Sequence, residues 1–333
     1  MHWALIGAST IASQYMIGAI RAQPEASVDW VISGDADRAA RYASDHNIPK
    51  SGIAITDALD DPLVDAVYIS STNEKHSAQA IAAIAAGKHV LCEKPLAMTV
   101  EQATEMVVAA QEAGVVFATN HHLRCSGSHR AVRDLIQAGR IGKVLSARIF
   151  HAVHLPESLR GWRIDSAESG GGVVPDITVH DADVVRFLLG EDPQSVVAQV
   201  SASGMGQGVE DSAMSVWDMP SGAMVMSHES FTHPFAGSGF EVHGTEGSIF
   251  AQGVMTQKPV GMVELVTAQG RDAVPFPDHD LYTFGVARFC AAVAGNGVPA
   301  ADGWDGVKSL AVAKAVLQAA SSGARTTVNY GAV

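Results

Sequence analysis

The sequence is poor in cysteine, in positive charge and in long apolar runs, and each shortage closes off a class of function. Three cysteines, Cys92, Cys125 and Cys290, are spread over 333 residues. Their odd number and wide spacing offer no C-x-x-C pair for structural zinc or dithiol chemistry, and they read as the reduced thiols of a cytoplasmic protein. Lysine and arginine total 22 against 35 aspartates and glutamates, a formal charge of -13. Phosphate backbones and anionic membrane surfaces are held by clustered cations, so neither nucleic acid nor a membrane is an expected partner. No apolar run reaches the length that spans a bilayer. The N-terminus enters a strand-like run directly, without the basic and apolar regions of a secretory leader. One further absence is local. In GASTIA, Gly7–Ala12, the dinucleotide fingerprint G-x-G-x-x-G/A lacks its middle glycine, and Ser9 stands there instead.

What is present fits two domains, 1–120 and 121–333. Hydrophobic residues make up 47% of the chain, enough for two cores at a length where a single core stops growing. Over 1–120, short apolar runs alternate with segments of helical period. WALIG, VDWVIS and VDAVYISS read as strands buried on both faces. DADRAARYASDHN (capped by Asp35 or Asp37), HSAQAIAAIAAG and Val100–Ala113 read as helices, and KHVLCEKP and GVVFATN complete the series. Repeated strand–helix–strand units predict an α/β Rossmann-type, doubly wound parallel sheet. Beyond 120 the crossover helices disappear. After one helical segment, KVLSARIFHAV, SVVAQVSAS, SAMSVWDM, GAMVMSHESF and GFEVHGTEGSIFA alternate as strands, and an Ala-rich helix covers roughly Val307 to Ala320. An α+β domain with an open, mainly antiparallel sheet is expected, its exposed face suited to a homo-oligomer contact.

Strand, glycine turn and helix at the head of such a series give the degraded fingerprint its meaning. Gly7 permits a sharp turn, and Ala12 is small enough for helix–sheet packing. Ser9 loses some close backbone approach, but its hydroxyl can donate to a phosphate oxygen, and the helix amides still face a pyrophosphate. A tight turn without a ligand is the plainer alternative. NAD sites end the second strand with Asp or Glu for the ribose diol. Here Ser33 and Gly34 stand in that place, followed by Arg38. A neutral serine and an arginine clamp suit the 2′-phosphate of NADP(H). Asp35 turned inward would restore a ribose acceptor, and Arg38 alone could be a solvated helix charge. Together, Ser33 and Arg38 favour NADP over NAD.

Two polar stretches fall at carboxyl ends of strands, where open α/β sheets bind ligands: STNEKH, Ser71–His76, and CEKP, Cys92–Pro95. An ammonium at Lys94, its direction set by Pro95, can polarise a carbonyl and give up a proton. In SGGGVVPDITVHDADVVRFLL, the D-x-x-x-H spacing of Asp176 and His180 puts both on one helix face, a turn apart. Such a pair can hold substrate hydroxyls and relay a proton, or ligate a metal. No H-E-x-x-H occurs, no third ligand follows by spacing, and His121 and His122 point apart on a strand, so no metal is expected.

GASTIA, Glu93-Lys94-Pro95, GGGVVPDITVHD and the G-T-x-G-like turn in EVHGTEGS stand where the motifs of the Gfo/Idh/MocA oxidoreductases stand. The chain resembles that family over nearly its whole length, with finer likeness in STNEKH, HVLCEKPLAMT, TNHHLR and FHAV. The resemblance implies an NADP(H)-dependent enzyme that reduces a small sugar ketone. Dehydrogenation of an inositol, an aldose or a dihydrodiol is the alternative, and a non-catalytic dinucleotide-binding regulator a second. Position by position, it implies cofactor contacts at Gly7, Ser9, Thr10, Ile11, Ala12, Ser33, Gly34, Arg38, Ser71, Thr72, Asn73, His76, Glu93, Lys94 and Asn120. Trp162 and Arg163 would approach the cofactor from the second domain. Lys94, Asp176 and His180 would surround the ketone, with either His180 or Lys94 donating the proton. Ser9 and Ser33 depart from the glycine and the acidic strand end of many members, which puts NAD use in doubt.

Overall fold

A computed structural model describes residues 1–202 and 204–331. The chain forms two compact units: Met1–His121 with Tyr282–Val307, and His122–Leu281 with the segment that starts at Lys308. Tyr282–Val307, expected in the second domain, therefore belongs to the first unit. Its aromatic residues explain why. Tyr282 stacks on Tyr15 with ring centroids 4.7 Å apart, and Phe289 meets Trp3 at 5.1 Å. Trp3, Tyr282 and Phe289 are almost wholly enclosed, and burying a side chain of this kind contributes about 1.5–3 kcal/mol. Helical periodicity reports which face of a segment is apolar, not which sheet will cover it.

The first unit is a six-stranded sheet in the order β3-β2-β1-β4-β5-β6, with β1 at His2–Ile6, β2 at Ser27–Ile32, β3 at Lys50–Gly52, β4 at Ala66–Ile69, β5 at His89–Cys92 and β6 at Phe117–Thr119. Every pairing is parallel. AVYI in β4 is buried at all four positions, as a strand covered by helices on both faces must be. The helices form where capping residues allow. Asp35 caps Ala36–Asp45 and Thr99 caps Val100–Ala113, each side chain accepting a first-turn N–H. Strand order reverses between β1 and β4, and a doubly wound sheet binds its ligand at that switch point, outside the carboxyl ends of the strands.

The second unit carries a nine-stranded sheet in the order β14-β13-β12-β11-β7-β10-β9-β8-β15. Its strands are β7 at Val144–Ala152, β8 at Ser195–Ser201, β9 at Ser212–Asp218, β10 at Met224–Ser230, β11 at Ser238–Gly244, β12 at Gly247–Gln252, β13 at Met262–Thr267, β14 at Gly270–Ala273 and β15 at Thr326–Thr327. The sheet is mainly antiparallel, but β7 and β10 pair in parallel at its centre. That pairing joins segments some 75 residues apart, so no hairpin in the sequence announces it. Alternation makes one face apolar. Ala147, Ile149, Phe240 and Val242 of that face pack against Val185 and Leu188 of the helix Val179–Leu189. The opposite face leaves Met214, Val216, Met224 and Met226 between 42% and 59% exposed. No helix among the described residues is long and apolar enough to cross a membrane.

Candidate active site

The GASTIA turn follows β1. Gly7 has φ of +116°, and a Cβ there would lie 2.9 Å from the backbone of Ser70 and Ser71, so glycine is required on both counts. Its N–H donates to Ile32 O at 2.9 Å. Ser9 behaves differently from expectation. Its Oγ accepts the N–H of Ala12 at 3.2 Å and lies 2.7 Å from Ser70 Oγ. The hydroxyl thus caps the helical turn and ties it to the end of β4. Thr10 and Ile11 lead into a π-helical turn, Ala12–Met16, with Ala12 wholly buried against the sheet.

At the end of β2, Ser33 donates its N–H to Gly52 O at 3.1 Å, and Gly34 is exposed. Asp35 is the helix cap, its Oδ1 accepting Arg38 N–H at 2.6 Å. Arg38 is more than a solvated charge: its Nη2 donates to Ala8 O at 2.6 Å, bringing the guanidinium across to the GASTIA turn. Tyr42 donates to Ser9 O at 2.9 Å from a half-buried position that pushes its phenol up to about 12. The arrangement leaves a neutral strand end beside a guanidinium.

The ends of β4 and β5 hold Lys94. Ser71 donates to Gln79 Oε1 at 2.6 Å and Thr72 to Glu74 Oε1 at 2.7 Å, with Asn73 buried after them. His76 was expected to touch the cofactor, but it is 0% exposed. Its ring nitrogens lie 2.9 Å from Pro95 O and 3.2 Å from Ser71 O, and burial lowers its pKa. It fixes the two loops from below instead. Glu93 is gripped by Tyr68 Oη–H and Asn120 Nδ2–H, both 2.5 Å from Oε1, while burial raises its pKa. The Lys94–Pro95 bond is cis. Glu93, held by these two donors, serves as a brace beside Lys94.

In the second unit, the short helix Trp162–Asp165 carries the expected pair. The Arg163 guanidinium lies 4.6 Å from the Trp162 ring centroid, and its Nε is 3.6 Å from Asp176 Oδ1. Gly172 explains the glycine run before it: φ is +114°, and a Cβ would strike the Glu210 carboxylate at 2.3 Å. Glu210 in turn accepts Val174 N–H at 3.0 Å, anchoring the start of the site helix. Asp176 lies in a π-helical turn, Val174–Thr178, and His180 in the α-helix that continues it. The simple α-helical spacing assumed for the pair is therefore replaced by a wider turn, a feature frequent at functional sites. His180 is buried, its ring edge-on to His122 at 4.9 Å and 6.4 Å from His151 between centroids.

His151, Asp181 and Glu229 were missed by sequence reasoning. His151 had no local signal beyond FHAV. Glu229 had one: Val225, Ser227 and Glu229 share the inward phase of β10, where a carboxylate is out of place. Among the described residues, no group of three or more His, Cys, Asp or Glu side chains could hold a metal ion.

Comparison with known proteins matches these elements. A family model described as an oxidoreductase family with an NAD-binding Rossmann fold covers residues 1–121, and a GFO/IDH/MocA C-terminal domain covers 129–250. The chain is 53% identical over 331 residues to the 1,5-anhydro-D-fructose reductase of Ensifer adhaerens, covering 99% of each. It is 30% identical over 259 residues to the myo-inositol 2-dehydrogenase of Thermotoga maritima, 76% of each. The structure of levoglucosan dehydrogenase in complex with NADH superposes with a TM-score of 0.88 over 99% of both chains; at 24% identity it speaks for the fold alone. A chain whose two halves match successive domains of one family, and which runs end to end with a relative at 53% identity, belongs to that family: it is a Gfo/Idh/MocA oxidoreductase with a nicotinamide dinucleotide as cofactor.

Proposed function

We propose that the protein reduces 1,5-anhydro-D-fructose at its ketone to 1,5-anhydro-D-mannitol, with NADPH as reductant, in the cytoplasm. Full-length identity of 53% to a 1,5-anhydro-D-fructose reductase carries the substrate assignment. The preference for NADPH is supported by the β2 end: Ser33 brings no carboxylate, Asp35 is engaged as a cap, and Arg38 is drawn to the GASTIA turn. Thr10, Ile11 and Ala12 offer helix amides to the pyrophosphate, and Ser71, Thr72, Asn73 and Asn120 line the strand ends beside it. The three free cysteines accord with a reducing compartment. In solution the exposed face carrying Val197, Val216 and Met226, which lie in register across β8, β9 and β10, would seat a second copy of the chain.

When bound, the dinucleotide supplies the hydride. The protein's part is electrostatic and protonic. The Lys94 ammonium polarises the ketone, and His180 protonates the oxygen as charge develops on it. Asp176 accepts hydrogen bonds from substrate hydroxyls and steadies Arg163. Exchange of the two cations' roles would leave this chemistry balanced.

A panel of sugar ketones and polyols, offered with NADPH and NADH and followed at the nicotinamide absorbance, tests the reading. Rapid NADPH oxidation with anhydrofructose is expected. Activity on a polyol with NAD+ and none on anhydrofructose would instead favour an inositol dehydrogenase, the reading that the Thermotoga relative supports.

A further inference from the structure

The parallel pairing of β7 with β10 sets His151 opposite Glu229, and the helix Val179–Leu189 adds Asp181 to them. His151 Nδ1 lies 3.1 Å from Asp181 Oδ1, and Ser227 Oγ–H donates to Glu229 Oε1. Asp181 and Glu229 are both 0% exposed, and their carboxyls are within hydrogen-bonding reach of each other. No donor among the described residues reaches Asp181 Oδ2 or Glu229 Oε2. Two carboxylates enclosed side by side do not both ionise, because each raises the cost of charging the other. The two oxygens without a donor acquire one as soon as a single proton sits between the groups. Burial lifts both acids well above the usual carboxylate range, in keeping with a proton held at neutral pH.

We propose that Asp181 and Glu229 share one proton and act, through Nδ1 of His151, as positioning residues that keep this imidazole charged beside His180 and able to replace the proton His180 gives up. The coupling to His180 rests on that residue's assignment as the acid; the shared proton does not. The pair presents one negative charge to His151, where two ionised carboxylates would present two. The imidazole is the member with exposed surface, 13% of its side chain, and so is the outlet of the cluster. In a turnover His180 transfers a proton to the ketone oxygen while the carbon takes the hydride. His151 replaces that proton from Nε2, keeps Nδ1–H on Asp181, and regains a proton from water. The pair remains a mono-anion throughout.

Other titratable groups stand near the imidazole. His129, from the helix Gly127–Gln137, is held neutral by burial, which lowers its pKa to about 3. His122 packs on His180, and the β11 neighbour in register with His151 is Ser238. Asp183, on the same helix as Asp181, is closed off by Arg124.

Asp181→Asn and Glu229→Gln in the full-length protein test the proposal by NMR titration of His151. Asp181→Asn leaves a neutral, protonated Glu229, so the His151 midpoint should fall by about one pH unit or more. Glu229→Gln places the whole negative charge on Asp181, so the midpoint should rise. The basic limb of kcat for ketone reduction should move with each midpoint. Shifts of the same sign, or a pH-independent loss of rate with unmoved titrations, would overturn the shared proton in favour of a structural role. Infrared spectroscopy of the wild type needs no variant to fold: a protonated-carboxyl stretch is expected at neutral pH and should vanish in Glu229→Gln, and its absence from the wild type overturns the proposal. Shifted titrations with an unmoved kcat profile would overturn the coupling to catalysis alone, and a near-normal rate in His180→Ala would trace that failure to the acid assignment.

Discussion

In the first unit, Ser9, Ser33, Ser71 and Thr72 lie in loops at strand ends and Arg38 in the first turn of a helix, and these candidate cofactor contacts keep part of their surface open. In the second, His180, Asp181, Asp183 and Glu229 are enclosed between a helix and a sheet. The first arrangement costs little, because turns and caps satisfy polar groups locally: Asp35 caps its own helix, and Ser9 its own turn. The second is expensive in desolvation and holds only while each charge keeps its partner. A loop site of the first kind can vary its ligand by single substitutions. A buried cluster of the second kind stands or falls as a unit.

The largest effects should come from the reacting groups. Lys94→Ala and His180→Ala should each slow single-turnover hydride transfer by about 10²–10⁴-fold, the usual contribution of a positioned acid or polarising group; near-normal rates in both would remove these residues from the chemistry. Next is the buried pair Arg124–Asp183, joined by two hydrogen bonds with the side chains 7% and 1% exposed. Arg124→Ala should lower stability to urea unfolding by about 3–5 kcal/mol by stranding Asp183. A loss under about 1 kcal/mol would show that the second unit tolerates an unpaired charge and would erase the contrast with the first.

Smaller effects belong to the loops. Gly7→Ala should cost about 1–3 kcal/mol through its positive φ and its collision with Ser70, and should weaken dinucleotide affinity in calorimetry. Ser33→Asp should leave stability alone and move preference from NADPH toward NADH by about tenfold in kcat/KM, roughly 1.4 kcal/mol. An unchanged ratio would mean that the adenosine end is read elsewhere.

How much was legible follows the same division. Five of the six parallel strands, the GASTIA turn, Glu93-Lys94-Pro95 and the Asp176–His180 segment are local, their periodicity and turn residues standing together in the chain; the edge strand Lys50–Gly52 has no apolar run to announce it. The cap role of Asp35 was visible in the sequence, and the structure shows it. His76 shows the limit. The resemblance implies a cofactor contact there, and the structure encloses the ring with a nitrogen 2.9 Å from Pro95 O. Tyr282–Val307 shows another, since the helix carries no mark of the sheet it joins.

By itself, the sequence determined the class of each domain, because strand and helix periodicity depends on residues a few positions apart. Tertiary structure decided which acids face one another. His151, Asp181 and Glu229 come from a strand, a helix and a second strand, and they meet through the parallel register of β7 and β10. Whether a carboxyl there carries a charge or a shared proton depends on burial and on its neighbours, and both are properties of the packed core.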